Sequence, residues 1–187
     1  TPVPTPTPAG QTPAPTPVPT PTPPQWPVSG PQRMHLGSVV EDGLPRQLLY
    51  VISQRLRRVL SYPLTLELDV ELEYAQTPRV DGLYEDLLLD PQNRYVHAAA
   101  FQMGRIDSFP LDENGMIDGS NSSSTLDNPA SYPGGMAWLT FVDENGGEQS
   151  RVFVAQGGLN RVDAFPVADD GSLDPRPATS SQPKDEV

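Results

Sequence analysis

Three apolar segments of the chain share one pattern of hydrophobic and polar positions. Each begins with an aromatic residue and valine, passes through a short turn to an arginine and a β-branched residue, and ends on an aromatic residue, a proline and an aliphatic residue. The copies span residues 50–64, 95–111 and 153–167. Two short strands joined by a turn fit each copy, so we predict three hairpins with a repeated core formed by six aromatics. These are Tyr50, Tyr62, Tyr95, Phe109, Phe153 and Phe165.

The spacing of these copies predicts an array of β-repeats. The paired aromatics lie 12, 14 and 12 residues apart, which indicates a two-residue insertion in the turn of the middle copy. The closing prolines Pro63, Pro110 and Pro166 follow one another after 47 and 56 residues. A period of this size, built of short strands and turns, is typical of propeller blades.

Residues 64–74 show the most regular alternation in the chain. Leucines and other apolar residues alternate there with Glu67, Asp69, Glu71 and Glu73. This pattern predicts one strand with a buried face and an acidic face in water. Four carboxylates on one face also suggest a calcium site, but a solvated face that prevents edge-to-edge aggregation is the favoured interpretation. No segment shows a helical period, so we predict an all-β fold.

The N-terminal segment has a separate composition. Residues 1–24 hold 11 of the chain's 24 prolines, together with seven threonines. Proline fixes φ and lacks the N–H donor, so this segment is predicted to be polyproline II. We therefore divide the chain into a stalk at 1–31, a propeller-like β-repeat domain at 32–178 and a polar tail at 179–187.

The stalk allows two interpretations: a stiff spacer, or an assembly element that carries O-linked glycans. In the second, the threonines accept the glycans and an aromatic residue anchors the rod to the domain. The residues assigned to this role are Thr1, Thr5, Thr7, Thr12, Thr16, Thr20, Thr22 and Trp26.

The charge balance and the missing motifs exclude several classes of function. A net charge of −12 opposes binding to nucleic acid or to an anionic membrane. Without cysteine there are neither disulfides nor thiolate metal sites. No apolar run has the ~20 residues that a transmembrane helix needs. The sequence contains no serine-hydrolase elbow, zinc-peptidase motif or nucleotide-binding loop, so we expect no cofactor and no metal.

Histidines and aromatics are the candidate functional side chains. His97 lies in an apolar strand, and no motif places an acidic or hydroxyl partner beside it. We interpret it as a structural histidine, with a position in a ring channel as the alternative. His35 has no assigned role. Trp26, Tyr132 and Trp138 suggest stacking on sugars or on a proline rod, although core packing is the ordinary role for Trp138.

Two segments resemble blades of the lactonase-type, 6-phosphogluconolactonase-like β-propellers. They read LDPQNRYV at residues 89–96 and VAQGGLNRVDAF at residues 154–165, and Asp/Gly hairpins follow at 112–117 and 170–173. The likeness covers residues 45–176 and implies about three blades, whereas closed rings use about four to eight. Members of that family gather their catalytic groups around the central channel. No catalytic set of this chain matches theirs residue by residue, so none is assigned.

An incomplete ring on a Thr/Pro rod suggests assembly rather than catalysis. We expect a secreted, non-enzymatic structural subunit that joins copies of itself head to tail into an extracellular fibre or surface layer. Two alternatives stay open: a fragment of a lactonase-like hydrolytic propeller, or a ligand- or carbohydrate-binding propeller on a stalk.

Overall fold

The computed structural model describes residues 31–41, 44–65, 70 and 74–181 of the chain. In this part, twelve strands form three four-stranded antiparallel sheets, and each sheet pairs its strands in chain order. The first sheet contains β1 (Pro31–Glu41), β2 (Leu44–Ser53), β3 (Arg58–Pro63) and β4 (Ala75–Gln76). The second contains β5 (Tyr84–Leu89), β6 (Tyr95–Ala100), β7 (Arg105–Pro110) and β8 (Ser123–Ser124). The third contains β9 (Pro133–Val142), β10 (Glu148–Gln156), β11 (Arg161–Pro166) and β12 (Thr179–Ser180), with a 3₁₀ turn at Gly157–Leu159.

The three sheets are arranged as consecutive propeller blades. Strand β5 packs between β1 and β9, so the first strands of the three sheets lie side by side. Strand β2 also contacts β5, and β6 contacts β9. Sheets that converge on their first strands are arranged radially, with those strands nearest a common axis. The prediction of an all-β fold with about three blades in an incomplete ring is confirmed.

Two apolar layers between the blades form most of the core. The layer between blades 1 and 2 joins Leu48, Tyr50, Ile52 and Val59 to Tyr84, Val96, Ala98 and Phe109. The layer between blades 2 and 3 joins Ala99 and Ile106 to Val152, Val154 and Phe165. Of the six aromatics of the predicted repeated core, Tyr50, Tyr62, Phe109 and Phe165 are buried, whereas Tyr95 and Phe153 are half-buried.

Strand pairing shows that the middle repeat has no insertion. The closing prolines Pro63, Pro110 and Pro166 pair with Leu48, Tyr95 and Arg151, and all three turns between the second and third strands have the same length. The residue equivalent to Tyr50 and Phe153 is therefore His97 rather than Tyr95. The predicted insertion was wrong because the three copies were aligned on their aromatic residues. The hydrogen bonds between neighbouring strands set the register instead.

The single strand predicted over residues 64–74 is also wrong. Leu64 and Val70 form an antiparallel bridge, so the chain reverses direction between them. Equivalent bridges, Leu111–Ile117 and Val167–Leu173, mark the same reversal in the other blades. Residues 66–69 and 71–73, with the four acidic residues, lie outside the described residues.

The remaining predicted segments have mixed outcomes. The connection between blades 2 and 3, residues 119–134, contains β8 and the first residues of β9, and β12 lies in the segment assigned to the C-terminal tail. The stalk and its proposed assembly residues, from Thr1 to Trp26, fall outside the described residues. The domain boundaries therefore stay a prediction.

Candidate functional site

Asp86 on β5 connects the first strands of all three blades. Its Oδ2 accepts a hydrogen bond from the backbone N–H of Met136 on β9 at 2.7 Å. Its Oδ1 lies 3.6 Å from Nε of Arg33 on β1, in an ion pair whose carboxylate is 15% exposed and whose arginine is 60% exposed. The carboxylate thus anchors an exposed guanidinium at the inner edge of the blades. A guanidinium held in this way can bind a carbonyl or carboxylate oxygen of a ligand.

His35 lies two residues after Arg33 on the same strand. Its side chain is exposed, and its strand partner on β2 is Tyr50. Histidine is the side chain that most often accepts and returns a proton in catalysis. Sequence reasoning assigned no role to His35 and did not single out Arg33 or Asp86. Asp86 is about 50 positions away from the other two in sequence, and only the packing of β1 against β5 brings all three to one edge of the fold.

His97, the sequence candidate for catalysis, is a buried structural side chain. Its Nδ1 lies 2.8 Å from Oγ of Ser108 on the neighbouring strand, a partner that no motif indicated. Its ring stacks on Tyr95 at 6.0 Å and, across the blade boundary, on Trp138 at 6.0 Å. Burial lowers the pKa of His97 to about 4, so the ring is neutral at pH 7. The interpretation as a structural histidine agrees with this environment, which is closed to solvent.

The LDPQNRYV segment has a structural role at the same blade boundary. Asp90 is fully buried, and its carboxylate accepts hydrogen bonds from the backbone N–H groups of Gln92 and Arg94 and from Arg94 Nε at 2.8 Å. Arg94 Nη1 in turn donates to the carbonyl of Asp169 in blade 3. The motif therefore closes the turn between β5 and β6 and ties blade 2 to blade 3.

The other sequence candidates are explained by local structure. Asp112 Oδ1 accepts the backbone N–H groups of Asn114 and Met116, in agreement with the hairpin expected at residues 112–117. Trp138 packs against the core between blades 2 and 3 and donates to Thr140 Oγ1. Tyr132 is 44% exposed and stacks on Phe101. Trp26 lies outside the described residues.

The described residues contain neither a metal site nor a membrane-spanning helix. No cluster of three or more His, Asp or Glu side chains is placed to hold a metal ion there. None of the helical structure in that part has the length and apolar character needed to cross a bilayer.

Comparison with solved structures identifies the fold as that of lactonase-type propellers. The periplasmic gluconolactonase of Pseudomonas aeruginosa aligns with 85% of this chain at a TM-score of 0.55 and 15% identity, and 41% of its own length is covered. A protein from Lactobacillus plantarum aligns with 80% of this chain at a TM-score of 0.54 and 13% identity, with 46% of its length covered. A putative 6-phosphogluconolactonase from Bacteroides fragilis aligns with 78% at a TM-score of 0.50 and 16% identity, with 37% covered. No family model and no curated protein matches the sequence.

These comparisons correct the function expected from the sequence. The chain spans less than half the length of each of these structures, and at such identities the likeness shows the fold alone. The expected fibre subunit was inferred from the incomplete ring and the missing catalytic motif. One of the matching structures is named as a gluconolactonase and two as putative 6-phosphogluconolactonases, and none is named as a fibre subunit, so the fibre hypothesis is wrong. The sequence favoured a structural subunit because it contains no recognised catalytic motif, and a fold by itself does not define a function.

Proposed function

We propose that this chain contributes three blades to a lactone-hydrolysing propeller whose substrate is a sugar lactone. The observation that carries the proposal is the fold match to a gluconolactonase over 85% of the chain. The polar side chains at the inner edge of the blades support it. They lie on β1 and β5, on the side of the sheets where a propeller forms its channel.

The residues Arg33, His35 and Asp86 suit the hydrolysis of a lactone. Water attacks the lactone carbonyl, a C–O bond forms, and negative charge develops on the carbonyl oxygen before the ring C–O bond breaks. The Arg33 guanidinium stabilises that oxyanion, and Asp86 keeps the guanidinium in place. His35 takes the proton from the attacking water and returns it to the ring oxygen that leaves, so the product is the open hydroxy acid.

Hydrolysis of glucono-1,5-lactone by the 187-residue chain tests the proposal. Loss of lactone is followed at pH 6.5 by acid release, and the spontaneous rate is subtracted. We expect a rate above the spontaneous one, with a reduction of roughly ten- to a thousand-fold in kcat/KM for Arg33→Ala and for His35→Ala, as is usual for an oxyanion donor and a general base. The control Arg176→Ala changes an exposed arginine in the loop before β12 and is expected to keep the wild-type rate.

Two results would contradict the proposal. A rate equal to the spontaneous one would exclude the activity for this chain. A catalysed rate that Arg33→Ala and His35→Ala both leave unchanged would place the chemistry elsewhere in the blades.

Export from the cytoplasm is part of the same proposal. The gluconolactonase from Pseudomonas aeruginosa is named as periplasmic, and the present chain has no cysteine. Fractionation of cells that produce the chain tests this point, with recovery in the exported fraction as the expected result.

A further inference from the structure

A cavity of about 290 Å³, lined by both polar and apolar side chains, lies between blades 2 and 3, away from the inner edge. The start of β7 and the loop 125–131 form one wall, and the end of β10 and the start of β11 form the other. At ~30 Å³ for each water molecule, this volume has room for about ten waters or one small organic molecule. Its size falls at the lower end of the range of ligand sites.

Two neutral, buried side chains of the lining have unused hydrogen-bonding atoms. Ser131 is 2% exposed and Gln156 is 5% exposed. Neither Ser131 Oγ nor Gln156 Oε1 has a hydrogen-bond partner among the described residues. A buried polar atom without a partner costs about 1–3 kcal/mol, so these two atoms need a partner inside the cavity.

The position of Gln156 is distinctive within the repeat. The equivalent residue is Ser53 in blade 1 and Ala100 in blade 2, since each of the three pairs with the arginine that begins the next strand. A long amide side chain here is therefore specific to blade 3. Fold alone does not require it, because the two shorter residues occupy the same place in the other blades.

Both arginines of the lining are already paired with aspartates, one of which, Asp107, lies outside the lining. Arg105 Nε lies 2.7 Å from Asp107 Oδ1, and Arg105 Nη1 lies 3.3 Å from Asp127. Arg161 Nη2 donates to Asp163 Oδ2 at 3.1 Å, and Arg161 Nε lies 2.9 Å from Asp163 Oδ1 in the same ion pair. The two arginines and two aspartates of the lining cancel in formal charge. An anionic ligand would lose hydration without a free counter-charge, so the cavity favours a neutral ligand over an anion.

Backbone hydrogen bonds fix the loop that closes the cavity. The N–H of Asn128 donates to the carbonyl of Gly104 in blade 2, and the N–H of Gly158 in blade 3 donates to the carbonyl of Ser131, both at 2.9 Å. A Cβ at Gly104 or Gly158 would lie within 2 Å of a carbonyl oxygen of this loop. The wall is therefore held to both blades, and the two unused polar atoms occupy fixed positions before any ligand arrives.

We propose that this cavity is a binding site for a neutral, hydroxyl-rich molecule of monosaccharide size. Hydroxyl groups can donate to Gln156 Oε1 and either donate to or accept from Ser131 Oγ. Ile106, Leu126 and the prolines Pro175 and Pro177 provide apolar contact for the C–H faces of a sugar ring or polyol. The site is separate from Arg33, His35 and Asp86, and it does not depend on the proposed hydrolysis.

Calorimetric titration tests the site with three neutral probes, D-glucose, D-glucitol and myo-inositol, on the 187-residue chain, and with the gluconate anion on its Arg33→Ala variant, because the Arg33 guanidinium can itself bind a carboxylate. We expect at least one neutral probe to bind at least ten-fold more tightly than gluconate. Gln156→Met keeps the length of the side chain and removes the acceptor, and Ser131→Ala removes the hydroxyl. Each is expected to weaken binding of that probe about ten-fold, while the unfolding temperature without ligand stays the same or rises.

Matched controls distinguish this site from the proposed active site and from a folding defect. Gln92→Met makes the same chemical change at an exposed glutamine in the turn between β5 and β6, and it should leave binding unchanged. Arg33→Ala should leave binding unchanged as well. The proposal is overturned if none of the neutral probes binds, if gluconate binds as tightly as they do, or if binding persists undiminished in both Gln156→Met and Ser131→Ala.

Discussion

His97 faces Ser108 across β6 and β7 in the same register in which Tyr50 faces Ser61 across β2 and β3. Both side chains lie at a blade boundary. Tyr50 donates its hydroxyl to the carbonyl of Gly115 in blade 2 at 2.7 Å, and His97 stacks on Trp138 of blade 3. One position of the repeat thus joins each blade to the next by different chemistry. In blade 2 that chemistry includes an ionisable ring.

The first prediction is that His97 makes folding sensitive to mildly acidic pH. Its pKa is about 4 in the folded protein, against 6.5 for the ordinary side chain, because burial disfavours the charged ring. Because the pKa is lowered in the folded protein, the unfolded chain binds a proton at His97 more readily. The stability that comes from keeping this ring neutral is therefore fully present above pH 6.5 and is lost as the pH falls towards 4. The slope is about 1.4 kcal/mol per pH unit, which amounts to roughly 2 kcal/mol between pH 7 and pH 5.

Urea unfolding of His97→Phe at pH 7 and pH 5 measures this contribution. Phenylalanine restores the aromatic residue found at the equivalent positions Tyr50 and Phe153, so the variant should fold and should lose most of the pH dependence in this window. His35→Phe, at an exposed histidine, is the control and should keep it. Equal pH dependence in the wild type and in His97→Phe would refute the assignment.

A second prediction concerns the hydroxyl of Tyr84. It donates to Asp107 Oδ2 at 2.9 Å in a buried contact, while Asp107 Oδ1 accepts from Arg105 and Ser124. Tyr84→Phe leaves Oδ2 without that donor and should lower the free energy of unfolding by about 1–3 kcal/mol. The control Tyr132→Phe, at a tyrosine that is 44% exposed, should change it by less than about 0.5 kcal/mol. Equal effects of the two changes in chemical denaturation would show that the Tyr84 hydroxyl adds nothing.

Substitutions at two glycines with positive φ distinguish the cost of a steric clash from the cost of backbone strain. Gly104 has φ +66, and a Cβ there would lie 1.8 Å from the carbonyl oxygen of Asn128. Gly146 has φ +81, but its added Cβ would meet open space. We expect Gly146→Ala to cost about 1 kcal/mol from strain alone, and Gly104→Ala to cost at least about 2 kcal/mol more because the loop must shift. Thermal unfolding measures both, and equal costs would exclude the close approach at Gly104.

The blades could be predicted from the sequence because their signals are local. Alternation of apolar and polar positions, short turns and aromatic-proline endings all fall within about 15 residues. Each of these signals can be recognised without knowing what packs against the segment. The register of the middle repeat was missed because Tyr95 is a better aromatic match than His97. Counting back from the closing proline Pro110, with equal turn lengths assumed, would have placed His97 opposite Ser108.

The candidate site could not be predicted because packing between blades creates it. Arg33 and Asp86 are 53 positions apart and carry no motif. They meet because β1 and β5 are first strands of adjacent blades. Gln156 and Ser131 likewise belong to different walls of one cavity, and their significance lies in the absence of partners among the described residues. A single sequence contains no direct signal for such contacts.

The last prediction is that Asp86 holds the first strands of blades 2 and 3 together. Its carboxylate accepts the Met136 N–H at 2.7 Å, and a hydrogen bond to a charged acceptor contributes about 1.5–3 kcal/mol. Asp86→Ala should therefore increase hydrogen exchange of the Met136 amide by roughly ten- to a hundred-fold, since each 1.4 kcal/mol corresponds to a factor of ten.

The amide of Val154, the strand partner of Met136 in the core, reports whether the whole blade has opened, and its protection should stay within about three-fold of the wild type. Glu85→Ala removes the neighbouring carboxylate and should leave Met136 unaffected. If the Met136 amide exchanges equally fast in the wild type and in Asp86→Ala, the carboxylate does not join these strands, and its ion pair with Arg33 becomes the reason for its position.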